Sequence, residues 1–406
     1  MTMSRLRCLV LIAFVCHLSA WSDAAPTTGV GDVVAELNVA SYQNILDNML
    51  LTHTGDNRGF VWNSSQEAYY PSADHDTARD TILSWFTGLG LVASLDPFTF
   101  NSNSYRGCNN VIGLLPGRIT PDRVYVIGGH YDSVDNPGAD DNASGVAGVM
   151  EAARILADLP MASTVMFVAW DGEEKGLKGS HDWVNTNDES VIDGVVNLDM
   201  LAYNHNDDNT ATIYGNAPWR TKWVTAAETY APDINIVEDT GTLAASDHWP
   251  FQAASRPAGG IIENTYFPLP NPNYHKQSDS VDTPDYIDYE YAVKLLASGV
   301  GLLLEEADLL LPGDLDNDGD VDNEDLGMAA GSFTGVGNST TMTWADGDVD
   351  GDGDVDNADI GLIAGAFTGA MSSGSPSAFV PEPATLSLLA LGGVGLLRRR
   401  RGTHPV

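Results

Sequence analysis

Cysteine is nearly absent from this chain: three in 406 residues, with Cys8 and Cys16 close to the start and only Cys108 further on. A disulfide framework is therefore excluded, and stability must come from core packing or bound metal. Basic residues are also scarce. Nineteen Lys and Arg stand against 56 Asp and Glu, a formal charge of −37, which argues against nucleic acid as a partner. Long apolar runs are missing too, since the stretches at 8–20 and 384–397 hold 13 and 14 residues, short of the ~20 that span a bilayer as a helix. No Gly-x-Ser-x-Gly elbow occurs, so the serine-hydrolase route has no nucleophile motif.

The two short apolar stretches have flanks that give them another meaning. Arg5 and Arg7 precede the first, and Ser22-Asp-Ala24 follows it with small residues where a signal peptidase reads. Residues 1–24 are expected to be a signal peptide, and the protein to be exported. Its removal would leave Cys108 as the single cysteine.

The acidic residues are not spread evenly. Between positions 313 and 360 there are 13 Asp and one Glu, with no Lys or Arg. Within this segment Asp314-Leu-Asp316-Asn-Asp318-Gly-Asp-Val-Asp322-Asn-Glu-Asp325 returns 34 residues later as Asp348-Val-Asp350-Gly-Asp352-Gly-Asp-Val-Asp356-Asn-Ala-Asp359. Carboxylates at loop positions 1, 3, 5, 9 and 12, with Gly at 6 for the sharp turn, form the EF-hand arrangement for a hard cation. Two Ca2+ are expected, one per loop. A duplicated loop-helix with Asp at position 12, near the end of an exported chain, resembles a type I dockerin. That resemblance implies docking onto a cohesin-type partner.

Beyond a Ser/Gly/Pro-rich linker at 372–380 comes Val380-Pro-Glu-Pro383, then the second apolar stretch, then Arg398–Arg401. This order resembles the PEP-CTERM sorting signal at 381–401. It implies retention at the membrane until an exosortase-type enzyme removes the tail; an ordinary C-terminal anchor with arginines on the inner side is the competing reading.

From residue 30 to 311 short apolar, β-branched runs alternate with helical stretches at 143–156, 219–230 and 289–309. The expected fold is α/β: a mixed, mainly parallel sheet flanked by helices, followed at 312–371 by the small α-helical calcium-binding unit. Polar residues begin where the runs stop, as in Val-Tyr-Val-Ile-Gly-Gly-His130 and Val-Met-Phe-Val-Ala-Trp-Asp-Gly-Glu173-Glu174. That carboxyl edge is where α/β sheets place their chemistry.

His130, Asp132, Asp141, Glu173, Glu174, Asp199, Tyr274 and His275 follow one another in the motifs Gly129-His130-Tyr-Asp132, Gly138-Ala-Asp140-Asp141-Asn-Ala-Ser-Gly145, Asp171-Gly-Glu173-Glu174, Asn197-Leu-Asp199 and Tyr274-His275. This order resembles the co-catalytic zinc aminopeptidases, the family of bacterial secreted leucine aminopeptidases. The resemblance implies a zinc exopeptidase fold and a peptide or protein substrate. It also implies two Zn2+: one held by His130 and Asp199, the other by Glu174 and His275, with Asp141 bridging. Two adjacent dications need several carboxylates and one bridge to offset their charge, which agrees with that set.

Asp132 is expected to take the second N–H of the His130 imidazole, and Glu173 to act as general base on the attacking water. Tyr274 matches the family position whose phenol polarises the scissile carbonyl. A glutaminyl cyclase-like single-zinc acyltransferase shares the fold and the Asp-Gly-Glu-Glu element, and a non-catalytic calcium-dependent adhesion or scaffold protein is the alternative from another class. Every expected zinc ligand lies upstream of the composition break at Pro312-Gly313, so a chain cut after Leu311 is expected to keep its activity.

Overall fold

The computed structural model describes residues 29–368 apart from 103, 242–243, 265–269, 317–319 and 338–340. The expected signal peptide, linker and tail, and Asp318 of the first acidic loop, lie outside the described residues. Among the described residues no helix is long and apolar enough to cross a membrane.

Ten strands form one mixed sheet: β1 Phe60–Asn63, β2 Ala68–Pro71, β3 Val92–Phe100, β4 Tyr105–Leu115, β5 Thr120–His130, β6 Ser163–Trp170, β7 Ile192–Leu198, β8 Thr210–Gly215, β9 Asn235–Glu238 and β10 Ala258–Glu263. The spatial order is β1-β2-β4-β6-β5-β7-β10-β8-β9, with β3 on the far side of the path against β4. The central β6-β5-β7-β10 block is parallel. These are the runs that read as apolar from end to end, and all eight residues of β6 are buried. Alternation divides them between two faces: Tyr125 and Ile127 pack into the main core with helices Gly145–Leu156 and Tyr289–Glu306, while Val124 and Val126 pack with Trp170, Trp183 and Phe251.

The chain leaves β5 for β6 on one side and then crosses to β7 on the other. This reversal opens a crevice at the carboxyl ends of β5, β6 and β7, and His130, Asp171 and Asp199 stand there, at or just beyond the last residues of those strands.

The acidic repeats fold as two loop-helix units, Asn323–Gly331 and Asn357–Gly365. Each helix is started by a capping box, Asp322 with Asp325 and Asp356 with Asp359. The units interlock with approximate two-fold symmetry. The Thr334 hydroxyl receives the Val355 amide at 2.9 Å, and Thr368 receives that of Val321 at 2.8 Å. Their shared core of Leu315, Val321, Ala329, Trp344, Val349, Val355 and Ile363 also takes in Ala162 and Leu310 of the larger unit. Arg118 crosses the same boundary, donating to the Val349 carbonyl at 2.7 Å and lying 5.1 Å from the centre of the Trp344 ring.

Candidate metal centre

Four segments converge on the crevice. His130 ends β5, Asp141 lies in the loop after it, Glu173 and Glu174 form a single turn after β6, and Asp199 follows β7. His275 arrives from the loop beyond β10. Asp141 sits between two groups: one of its oxygens is 3.3 Å from His130 Nε2 and the other 3.1 Å from His275 Nε2. On the first side Asp199 lies 3.7 Å from His130 Nε2, and on the second Glu174 lies 3.4 Å from His275 Nε2. Ligands held ~2.0–2.2 Å from a tetrahedral metal stand about 3.3–3.6 Å from one another, so these spacings fit two adjacent cations. Glu174 Oε1 is buried and has no hydrogen-bond partner among the described residues, as a carboxylate aimed at a metal would be. The donors, two imidazoles and three carboxylates, suit zinc.

Charge argues the same way. Burial pushes the Glu174 carboxyl up to about 7 and raises Glu173 well above the usual carboxylate range. Hydrogen bonds donated to the Asp141 and Glu174 carboxylates hold the His275 imidazole up at about 10. The Asp141 carboxyl is itself driven below its ordinary value by the two imidazoles, against the effect of its burial.

The expected residues take unequal places. Glu173 Oε2 is 3.9 Å from His130 Nε2, the longest of these contacts, and Glu173 clusters with His130 and Asp199 as Glu174 does with Asp141 and His275. The Nδ1 of His130 meets the carbonyl of Asp132 at 3.1 Å, while the Asp132 carboxylate is 3.6 Å away. That carboxylate instead receives the backbone N–H groups of Glu173 and Glu174 at 3.0 and 3.3 Å. Asp132 therefore orients both the imidazole and the Glu-Glu turn. Tyr274 stacks on His275 with ring centres 3.8 Å apart; burial, then the charge of Asp141, raises its hydroxyl pKa, keeping it protonated as a donor. In the acidic repeats Asp314, Asp316 and Asp325 come together in one loop, and Asp348, Asp350 and Asp359 in the other. Asp322 and Asp356 cap the following helices through Glu324 and Ala358 N–H, at 2.6 Å each. Asp352 accepts the Asp354 amide at 3.0 Å.

Several supporting residues were not singled out by the sequence. The Asn142 side chain donates to the Leu198 carbonyl and accepts from the Met200 amide, tying the Asp141 loop to both neighbours of Asp199. Ser246 donates to Asp199 Oδ2 at 2.5 Å. His75, far upstream, is fully buried and holds Asp171 at 2.8 Å. Arg58 donates to the carbonyls of Tyr131, Pro137 and Gly138, and a Cβ on Gly138, at φ 59°, would lie 2.9 Å from its guanidinium.

Asp279, four residues past His275 and fully buried, accepts the amides of Asp140 and Asp141 at 2.7 and 3.2 Å and the Tyr286 hydroxyl at 3.0 Å. It joins the loop of one imidazole to the backbone of the bridging carboxylate. Removing such outer support typically costs 10–100-fold in metal affinity. Asp279→Asn is expected to weaken zinc binding by roughly that factor, read by zinc titration of the metal-free protein; unchanged affinity would mean that Asp141 needs no such grip.

Residues 110–308 match Peptidase family M28, and residues 379–401 match the PEP-CTERM protein-sorting motif. Just under half of the chain is thus similar to the M28 peptidases. All the residues of the cluster fall within the matched span. A probable zinc metalloprotease of Pyrenophora teres f. teres is 30% identical over 265 residues, covering 57% of this chain and 55% of the relative. Aminopeptidase YwaD of Bacillus subtilis is 34% identical over 185 residues, covering 43% of this chain and 40% of that protein. The chain thus spans about half or less of the length of the curated relatives it matches. The fold is similar to that of the LapA aminopeptidase of Legionella pneumophila, at a TM-score of 0.56 and 19% identity, covering 71% of this chain and 78% of that one.

Proposed function

We propose that the protein is an exported zinc aminopeptidase. The observation that carries this reading is Asp141, whose two carboxylate oxygens each face a separate imidazole, 3.3 and 3.1 Å away. His130 and Asp199 would hold one Zn2+, Glu174 and His275 the other, with Asp141 shared. A zinc pair makes water a nucleophile at neutral pH and polarises the carbonyl it attacks.

The chain's own groups complete the chemistry. Glu173 takes the proton from the attacking water and passes it to the leaving amine. Tyr274, held protonated, donates toward the developing oxyanion. Asp132 fixes the Glu173-Glu174 turn and the His130 ring. The aminopeptidase name of one relative supports exopeptidase action. Hydrolysis of leucine p-nitroanilide, abolished by a chelator and restored by zinc, is the expected result; no hydrolysis by zinc-loaded protein overturns the reading. Zinc at two per chain separates it from a single-zinc cyclase.

The remaining segments receive the roles their sequences suggest. Residues 1–24 direct export and residues 381–401 are a tail for an exosortase-type enzyme. The paired acidic loops take two Ca2+, and the dockerin-like unit offers a surface to a cohesin-type partner. The clustering of Asp314, Asp316 and Asp325, repeated by Asp348, Asp350 and Asp359, supports the calcium assignment.

A further inference from the structure

The sheet carries a row of aromatic rings that the chemistry above does not use. Phe100 pairs in register with Tyr105, Tyr105 with Tyr69, and Tyr69 with Trp62, so four strands present one ring each at the same level. Cross-strand partners share a face: Phe100 stacks on Tyr105 and Tyr105 on Tyr69, with centroids 4.3 and 4.7 Å apart, and Trp62 meets Tyr69 edge-on at 5.0 Å. Further in on the same strands, Phe60, Phe98 and Cys108 are buried as the core beneath the row. The row itself is half-buried at Phe100, Tyr105 and Tyr69 and ends at Trp62, 52% exposed on the edge strand β1.

Topology places the row beside the catalytic turn. β4 runs antiparallel to β6, with Val111 opposite Ala169, so the stretch of β4 before Val111, which includes Tyr105, extends past the carboxyl end of β6. Glu173 lies beyond that same end. Contact agrees: a Cβ on Gly172, at φ 71°, would lie 3.6 Å from the Phe100 ring. The row begins behind the residue next to Glu173 and leads away to the sheet edge.

Chemistry decides which part of a substrate passes there. Glu173 must hand its proton to the leaving amine, so the leaving half of the peptide lies on the Glu173 side. We infer that the Phe100–Tyr105–Tyr69–Trp62 row is a binding surface for apolar and aromatic side chains on the leaving side of the scissile bond, favouring peptides whose second and later residues are aromatic. This rests on the aminopeptidase reading. Four rings at these spacings match about four residues of extended peptide at ~3.3 Å each, and each aromatic contact changes affinity by roughly two- to tenfold.

The test compares kcat/KM for Leu-Phe-Phe-Phe and Leu-Gly-Gly-Gly, full-length and zinc-loaded, in the parent chain, Trp62→Ala and Phe100→Leu. Trp62 is a surface residue and Phe100→Leu keeps its site apolar, so both variants should fold. The parent should prefer the aromatic peptide, and the ratio should fall about three- to tenfold in each variant. Equal rates for the two peptides in the parent, or a ratio unmoved by both substitutions, overturns the inference. Calorimetric binding of the same peptides to Glu173→Gln protein, with and without Trp62→Ala, reads the surface independently of turnover. Preferential, Trp62-dependent binding without any hydrolysis by the parent would keep the surface and sink the peptidase reading; hydrolysis with no binding preference would do the reverse.

Discussion

Glu173→Gln should retain two zinc ions per chain and lose roughly 10²–10⁴-fold in kcat, the range that positioned proton transfer contributes. Glutamine fills the same volume and can still meet its neighbours, but it cannot take a proton from water. Glu174→Gln should differ, although it changes the adjacent residue in the same way. Glu174 Oε1 is buried with no partner among the described residues, and the other oxygen faces His275 at 3.4 Å, so an amide there leaves one cation short of a charged ligand. Zinc content should fall toward one per chain, and part of the activity should return with added zinc. Measuring metal and rate on the same samples separates the two residues. If Glu173→Gln sheds zinc while Glu174→Gln keeps it, the assignments are exchanged, and the 3.9 Å approach of Glu173 to His130 is the ligand contact.

The parts of this centre that the sequence exposes are those with a local cause. β5, β6 and β7 are buried on both faces and therefore read as unbroken apolar runs, and His130, Asp171 and Asp199 come into view because each run ends at one of them. The helix expected at 289–309 is found as Tyr289–Glu306, its start set by Asp288 accepting the Tyr291 amide at 3.0 Å. The supporting contacts have no local cause. Asp279 reaches the Asp141 amide across 138 residues and His75 reaches Asp171 across 96, and neither pairing leaves a periodic or spaced trace. The aromatic row is hidden for a related reason. Its rings come from four strands, and register between strands depends on pairing and turn geometry. Asp132 shows how far spacing alone reaches: two residues past His130 does bring it to the imidazole, but the bend after β5 gives that contact to its carbonyl and turns its carboxylate to the Glu-Glu turn.

A chain ending at Leu311 keeps every expected zinc ligand, yet it should melt roughly 6–18 °C below the full-length protein when both are saturated with zinc. Leu310 and Ala162 belong to the core of the acidic-repeat unit, and removing that unit returns them to water. Re-exposing a leucine costs about 1.5–3 kcal/mol, and losing the charged hydrogen bond from Arg118 to Val349 about 1.5 kcal/mol more. For a domain of this size each kcal/mol moves the midpoint by about 2–4 °C. The rate at low temperature should change little, because no expected zinc ligand or proton-transfer group lies beyond the cut. In the full-length chain Arg118→Ala should give a smaller shift in the same direction, since it breaks the bond to Val349 and the contact with Trp344 and leaves Leu310 covered. Calorimetry on the three proteins, with calcium and zinc held constant, measures both shifts. Identical midpoints for all three would show that the acidic-repeat unit is carried by the larger unit without supporting it.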